Sequence, residues 1–158
     1  MQRIKGDLFT FAVPGNAIVI PGNIGWTMQG KNVMGAVVAR QAAQRWPDLP
    51  YGFGTLCRRW REKTGVFSHS FSSGECFLFF PVKPLSVDAP WLSWRGPASL
   101  TLVEKSTREL AAWPKPESDS LIYLPLVGCG NGGLERAVVL PILDRYLAND
   151  RFILVEIG

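Results

Sequence analysis

Apolar positions along this chain alternate between short continuous runs and spaced stripes. Ala17–Ile20 (AIVI), Glu75–Phe80 (ECFLFF), Leu121–Leu124 (LIYL) and Phe152–Ile157 (FILVEI) are runs of strand length with little polar interruption, the pattern of strands buried on both faces. Gln2–Lys5 adds a short first strand that turns at Gly6-Asp7, Pro21-Gly22-Asn23 is expected to end the second strand, and Pro81 to close the third. Between them, Gly35–Arg45 (GAVVARQAAQR) carries small and apolar residues at helical spacing and stops before Pro47. Tyr51–Lys63 predicts a second helix that ends near Gly65. A third starts with Pro97 in its first turn and runs to about Ala112, with Leu100, Val103 and Leu110 on one side. In a fourth, Pro141 takes an early position and the helix reaches about Leu147. Val82–Gly96 reads as an irregular loop. Trp113–Ser120 (WPKPESDS) reads as a proline-rich connector rather than a domain linker, since neither side would be complete alone. The alternation of strands and helices predicts an α/β chain in three layers.

Composition narrows the class. With 158 residues, 47% of them hydrophobic, the chain is expected to form one domain, residues 1–158, with a sizeable core. No apolar run has the length of a membrane span, and Met1-Gln2-Arg3-Ile4-Lys5 passes into strand pattern without a signal-peptide core, so a cytoplasmic protein with no membrane contact is expected. The three cysteines, Cys57, Cys76 and Cys129, have no CxxC spacing and there is one histidine. That set speaks against a disulfide framework and a zinc site, and no metal or cofactor is expected. His69, within Ser68-His69-Ser70, is expected in an exposed loop or edge strand rather than in a catalytic triad. The net charge of +4 is modest. Its densest cluster, Arg58-Arg59-Trp60-Arg61 with Lys63 beyond, reads first as a solvated helix face and second as a nucleic-acid patch.

The candidate chemistry lies in two glycine-containing loops. In LIYLPLVGCGNGGL, Leu121–Leu134, an apolar strand breaks into Gly128, Cys129, Gly130, Asn131, Gly132 and Gly133 before a helix. Glycines let backbone N–H groups approach an anion closely, and a strand–loop–helix junction is a common way to hold phosphate. A second such loop, NIGWTMQGKNVMG, follows the AIVI strand. Two loops suggest a ligand with two phosphates. In sheets of this kind ligands sit beyond the carboxyl ends of the strands, so both loops and Lys83 should share one edge.

Gly6-Asp7-Leu8 after a first strand, an apolar strand ending at Asn23, Val33-Met34-Gly35 entering a helix, Phe80-Pro81-Val82-Lys83 at a strand end, and Pro125-Leu126-Val127-Gly128-Cys129-Gly130 occur in that order. Together they resemble the macrodomain family of ADP-ribose binders over nearly the whole chain. The likeness is to the branch of terminal ADP-ribose glycohydrolases and of antitoxins that strip ADP-ribose from thymidine in DNA. It implies a three-layer α/β/α fold with a central mixed sheet. It also implies that Asp7 accepts from the adenine amino group beside the Leu8 backbone, and that Asn23 touches the distal ribose. Val33, Met34 and Gly35 would hold one phosphate; Gly128, Cys129, Gly130, Asn131, Gly132 and Gly133 would wrap the other and the distal ribose. Asn23 equally suits an Asx-turn at a strand end, and Asp7 a turn.

The same resemblance places a catalytic lysine at Lys83, acting on the anomeric carbon of the distal ribose. An amine attacks only when neutral, and an apolar wall of Phe79, Phe80, Pro84 and Trp91 would lower its pKa, whereas phosphates would raise it. Two departures stand out. Val37 replaces a family glycine, and the segment between Asn23 and Val33 is longer than in the antitoxins. There Trp26 and Met28 would serve as a lid over the ribose, or Trp26 as core. Gly132 stands where the protein-deacylating branch has an aspartate, which leans the chain toward the DNA-directed antitoxins; Asp88 and Glu135, the nearest acids, match no motif. The expected activity is ADP-ribosyl hydrolysis from a DNA base or protein side chain, with a non-catalytic reader or an ADP-ribose 1″-phosphate phosphatase as alternatives. The implied partners are ADP-ribose or an ADP-ribosylated macromolecule, with DNA contact as an option and the chain as a monomer.

Overall fold

A computed structural model of the chain describes residues 1–114 and 119–157. Residues 115–118, part of the connector expected at Trp113–Ser120, lie outside the described residues, as does residue 158. The strands are β1 (Gln2–Lys5), β2 (Ala17–Asn23), β3 (Phe67–Ser70), β4 (Cys76–Lys83), β5 (Ile122–Leu124) and β6 (Phe152–Glu156). The helices are α1 (Val37–Arg45), α2 (Leu49–Trp60), α3 (Leu100–Ala111) and α4 (Arg136–Tyr146). One six-stranded sheet has the order β1-β6-β5-β2-β4-β3. Every pair is parallel except β3–β4. The edge strand β3 carries His69, one of the two placements its polar neighbours allowed.

Alternate residues of each central strand enter two separate cores. Ile18 and Ile20 of β2, Phe77 and Phe79 of β4, Tyr123 and Ile153 pack with Ala39, Ala42 and Phe53 of α1 and α2. Val19, Leu78, Phe80, Ile122, Leu124 and Leu154 pack on the opposite face with Val103, Leu110, Val139 and Leu143 of α3 and α4. Burial on both faces is why these strands read as continuous apolar runs rather than alternating ones.

Two prolines expected to end strands lie inside them. β2 continues through Pro21 to Asn23, and β4 through Pro81 to Lys83, with Pro21 opposite Phe80 and Gly22 opposite Pro81. Proline lacks the N–H that a central strand must donate. Here the demand has lapsed: β5 pairs with β2 only at Ala17 and Ile18, and β3 pairs with β4 only as far as Phe79. Beyond those points β2 and β4 continue as a two-stranded tongue, and the gap beside Pro21 opens the sheet between β2 and β5.

The helix ends differ from expectation for similarly local reasons. α1 starts at Val37 rather than Gly35. α2 covers Leu49–Trp60, and Arg61–Lys63 form a separate 3-10 turn. α3 starts after Ser99, whose hydroxyl accepts from the Leu102 N–H at 3.2 Å, so Pro97 precedes the helix. α4 begins at Arg136, which puts Pro141 in its interior. The bond it forfeits is to the carbonyl of Ala137, an exposed residue on the solvent side of the helix. Among the described residues no helix is long and apolar enough to cross a membrane.

Candidate functional site

The connection after β2 leads to helices on one face and the connection after β5 to α4 on the other. β2 and β5 are neighbours, so their loops part in opposite directions at the carboxyl edge, the topological switch point at which open α/β sheets take ligands. A cleft of about 420 Å³ lies there. Its walls include Asn23, Val33, Gly35 and the start of α1 from one loop, Lys83 and Trp94 from the end of β4, and Gly128, Gly130, Asn131 and Gly132 from the other loop. Both glycine loops and Lys83 therefore do share one edge. A second hollow of about 280 Å³ lies at the opposite edge, among Asn16, Cys76, Ser120 and Arg151, away from both loops.

The start of α1 faces the cleft without a cap. Ala36 has extended backbone (φ −80°, ψ 162°) and no side chain that can accept from the first-turn N–H groups, which point into the space that Ala36, Val37, Val38 and Ala39 line. Uncapped N–H groups and the positive end of the helix dipole form an anion site. Val37 is 63% exposed at this point, a side chain where the resemblance leads one to expect glycine.

The loop between Asn23 and α1 is braced from within. The Asn23 side-chain Oδ1 accepts from the Gly25 N–H at 3.0 Å, and its side-chain Nδ2 donates to the Val33 backbone carbonyl at 2.9 Å. Asn23 thus makes the Asx-turn, and one amide N–H remains for a ligand. Asn32, which sequence reasoning passed over, is 2% exposed and donates to the carbonyls of Asn23 (2.7 Å) and Gly25 (2.8 Å). An asparagine in a glycine-containing loop was the only available signal, and it does not distinguish a brace from a turn. Trp26 is buried in the α1/α2 core and Met28 is 92% exposed; neither lines the cleft.

The later loop is held by close backbone contacts. Leu134 N–H donates to the Gly128 carbonyl at 3.0 Å, and Ala98 N–H to the Gly132 carbonyl at 2.9 Å. A Cβ on Gly132 would stand 2.4 Å from the Gly128 oxygen and 2.8 Å from the Ala98 Cβ. The loop therefore has no room for an aspartate at this position in its present shape. The described lining of the cleft contains no carboxylate, and Lys83 is its charged side chain.

Lys83 sits directly across from Asn23, where a register shift between Gly22 and Asn23 sets the two side by side. Its ammonium donates to the Trp94 carbonyl at 2.6 Å. Partial burial strips water from the amine and lowers its pKa from the usual 10.5. The wall differs from the one expected: Phe79 and Phe80 are fully buried in the two cores, and Val82 and Trp94 flank the amine in the cleft.

Several sequence-selected residues lie outside this cleft. Asp7 caps the short turn Leu8–Phe11, accepting from the Phe9 N–H at 2.9 Å, with Arg45 at 3.7 Å. Its side chain remains half exposed, and the Leu8 side chain is core. Met34 points into the α1/α2 core between cleft-lining Val33 and Gly35. Cys129 and Gly133 turn away; burial raises the Cys129 thiol pKa, so it stays protonated near neutral pH. Asp88 and Glu135 are exposed and line neither hollow. Among the described residues no three His, Cys, Asp or Glu side chains gather into a possible metal site.

No protein-family model matches the chain. A curated protein of Thermosipho africanus, a DNA ADP-ribosyl transferase-DNA ADP-ribosyl glycohydrolase fusion protein, is 24% identical over 166 residues, covering 93% of this chain and 39% of that protein. The chain thus spans well under half of the curated relative it matches. Among solved structures, Thermosipho africanus DarTG in complex with ADP-ribose aligns with a TM-score of 0.76 at 21% identity, over 99% of this chain and 42% of that one. The macrodomain of Mycobacterium tuberculosis DarG aligns at 0.73 and 22% identity, and that of Thermus aquaticus DarG at 0.75 and 24%, each over 99% of this chain and 97% of the other. These alignments, the mixed six-stranded sheet and the helices on both its faces establish that the chain has the macrodomain fold.

Proposed function

We propose that this chain, as one macrodomain over residues 1–158, binds ADP-ribose in the switch-point cleft and hydrolyses it from a macromolecule, a DNA base before a protein side chain. The observation that carries the reading is the meeting of four features in one crevice: the uncapped start of α1, the Gly128–Gly132 loop, Asn23 and Lys83. A diphosphate fits between the helix terminus and the glycine backbone, each offering N–H groups to one phosphate. The remaining Asn23 N–H suits a ribose hydroxyl next to the Lys83 amine. The relatives' names point the same way, since one similar structure holds ADP-ribose and the curated relative is partly a DNA ADP-ribosyl glycohydrolase. Asp7 remains the proposed adenine contact through Oδ2, the carboxylate oxygen that Phe9 does not use and that Arg45 approaches at 3.7 Å.

In the proposed reaction the neutral Lys83 amine forms a bond to the anomeric carbon of the distal ribose as the bond to the base breaks. The base leaves with the pair of electrons and a proton, and water then releases ADP-ribose from the lysine. The lack of a carboxylate beside the lysine, with Gly132 sterically closed to one, supports chemistry through the amine.

One observation favours a binder without turnover: Lys83 is bonded to the Trp94 carbonyl at 2.6 Å and must leave it to attack. Calorimetry with ADP-ribose, followed by turnover of ADP-ribosylated DNA and protein, separates the readings. Hydrolysis of modified DNA that disappears in Lys83→Ala supports the enzyme. Binding with both proteins leaving the modification intact identifies a reader, and absence of ADP-ribose binding at millimolar ligand defeats both. Release of phosphate from ADP-ribose 1″-phosphate, unaffected by Lys83→Ala, would instead indicate the phosphatase.

A further inference from the structure

The second hollow, at the amino edge of the sheet, has features that the fold alone leaves unexplained. It lies beside the first residues of β2, β4 and β5, among Ala17, Cys76, Leu121 and Ile122, with Trp113 and Pro114 from the chain that follows α3. One wall is the turn between β3 and β4 set against the loop before β2: a Cβ on Gly74 would stand 2.7 Å from the Pro14 Cγ. Asn16 in that loop is fixed by donating to the Phe11 carbonyl at 3.2 Å. None of this lining is shared with the switch-point cleft.

Two polar residues of the lining are deeply buried and short of partners. Ser120 is 8% exposed, and its hydroxyl has no hydrogen-bond partner among the described residues. Arg151 is 9% exposed. Its guanidinium donates to the Ala111 carbonyl at 3.1 Å and lies 4.6 Å from the centre of the Phe152 ring. Among the described residues no carboxylate pairs with it. A guanidinium has five N–H groups, so one bond to a carbonyl leaves most of them unused. Desolvation lowers its pKa, yet an arginine keeps its proton at any ordinary pH. A buried charge is ordinarily paired and a buried hydroxyl bonded, because each otherwise gives up its hydration without replacement. Water would satisfy the hydroxyl but would not neutralise the guanidinium. The backbone brings the two residues to adjacent strand starts: β5 and β6 run parallel with Ile122 opposite Phe152, and the Ile122 N–H donates to the Arg151 carbonyl at 2.8 Å.

We propose that this hollow is a second ligand site, taking a small organic acid whose carboxylate pairs with Arg151 and accepts from the Ser120 hydroxyl while its apolar body lies against Leu121, Ile122 and Trp113. One guanidinium matches one carboxylate both in charge and in planar, two-bond geometry. A phosphate dianion would be left half-compensated, since among the described residues Arg151 is the one charged side chain of the lining. The rest of the lining is mainly apolar, and a space of about 280 Å³ suits a single ring or a short branched chain rather than a nucleotide. The site is separate from the cleft and does not depend on what the cleft binds.

The test uses phenylacetate, a carboxylate with one ring, and amide NMR of the whole isotope-labelled chain. Backbone signals of Ala17, Ser120, Ile122 and Arg151 should shift saturably at about millimolar phenylacetate, an affinity within reach of a ligand this small. Signals of Gly35 and Gly130, in the cleft, should stay in place. Phenylacetamide, of the same shape without the charge, should bind at least about tenfold more weakly. Arg151→Met keeps an apolar stem of similar length and should abolish the shifts. Ser120→Ala should weaken phenylacetate about tenfold, the worth of one hydrogen bond to a charged acceptor, without lowering the Tm of the free protein, since the hydroxyl it removes has no partner. A purely structural hydroxyl would instead show as a lower Tm. Thermal unfolding reports whether Arg151→Met folds, and where it does not, Ser120→Ala decides. The proposal is overturned if the wild-type chain shows no shift at about ten times that concentration, or if the shifts fall in the cleft. It is overturned equally if phenylacetamide or inorganic phosphate binds as well as phenylacetate, or if Ser120→Ala binds phenylacetate like wild type. Calorimetry with ADP-ribose on the same samples keeps the two sites apart: failure there removes the proposed function and leaves this site standing.

Discussion

Two glycines of the later loop should respond in opposite ways to the same added methyl group. At Gly132 a Cβ would lie 2.4 Å from the Gly128 carbonyl oxygen, about 1 Å inside ordinary contact, and 2.8 Å from the Ala98 Cβ. Neither neighbour is a flexible side-chain end. The Gly128 carbonyl is engaged by Leu134 N–H at 3.0 Å, and the Gly132 carbonyl holds Ala98 N–H at 2.9 Å. Gly132→Ala must displace this backbone, at the cost of overpacking and part of one hydrogen bond, roughly 2–3 kcal/mol together. For a chain of this size that lowers Tm by about 4–12 °C. At Gly130 a Cβ meets nothing within 4 Å, and φ is not positive, so Gly130→Ala fits the fold. It should raise stability slightly, by about 0.4–1 kcal/mol, through the lost freedom of the unfolded chain. Yet Gly130 lines the cleft, and its methyl group would occupy the ligand's side of the loop. ADP-ribose affinity measured by calorimetry should therefore fall in Gly130→Ala while Tm holds or rises. Thermal unfolding of both variants with and without ADP-ribose makes the comparison. A Gly132→Ala protein as stable as wild type would refute the packing argument; undiminished affinity in Gly130→Ala would refute the phosphate cradle.

Further outcomes are expected elsewhere in the site. Desolvation lowers the Lys83 pKa from its usual 10.5, so the neutral, attacking fraction grows as pH rises from neutrality toward that value. Single-turnover hydrolysis should rise with pH over that window and be abolished in Lys83→Arg, which stays charged throughout; a flat profile would contradict attack by the amine. Val37→Gly removes an exposed side chain from the uncapped start of α1 and should strengthen ADP-ribose binding in calorimetry, at a helix-propensity cost of about 0.5 kcal/mol seen as a small drop in Tm. Asn32→Ala would leave two bonded carbonyls, of Asn23 and Gly25, without their donor, destabilising the chain by about 1–3 kcal/mol in denaturant unfolding and weakening ADP-ribose binding with it. Unchanged binding would separate the brace from the site.

Much of the lining of the cleft was legible because the signals are local. Strand, glycine run and helix follow one another in sequence, so the loop before α4 and the loop before α1 could be singled out as candidate anion sites, and both line the cleft. Lys83 could be placed at the same edge by the rule for parallel sheets, and the structure sets it beside Asn23. What failed to read was anything decided by a distant partner. Met34 looks like a member of a ligand motif, but its side chain is drawn into a core that forms only when α1 packs on the sheet; the Leu8 side chain joins the same core, which leaves its backbone, the expected contact, untouched. Asp7 looks like a free acceptor, yet one oxygen serves its own turn. Trp94 gave no sign that its carbonyl would hold the lysine, because eleven positions of irregular chain separate them.

The prolines make the division plainest. By itself the sequence determined that the apolar runs become strands and where helices alternate with them, since periodicity and composition act within a few residues; the polar edge strand β3 it left open between loop and strand. It also determined the glycine loops, whose conformational freedom is a property of the residues themselves. Only the tertiary structure decided that Pro21 and Pro81 could stay inside β2 and β4, because a proline is tolerated according to whether a neighbouring strand asks for its N–H. β5 and β3 stop short of them, and the unpaired margin so created is part of the opening in which the cleft forms.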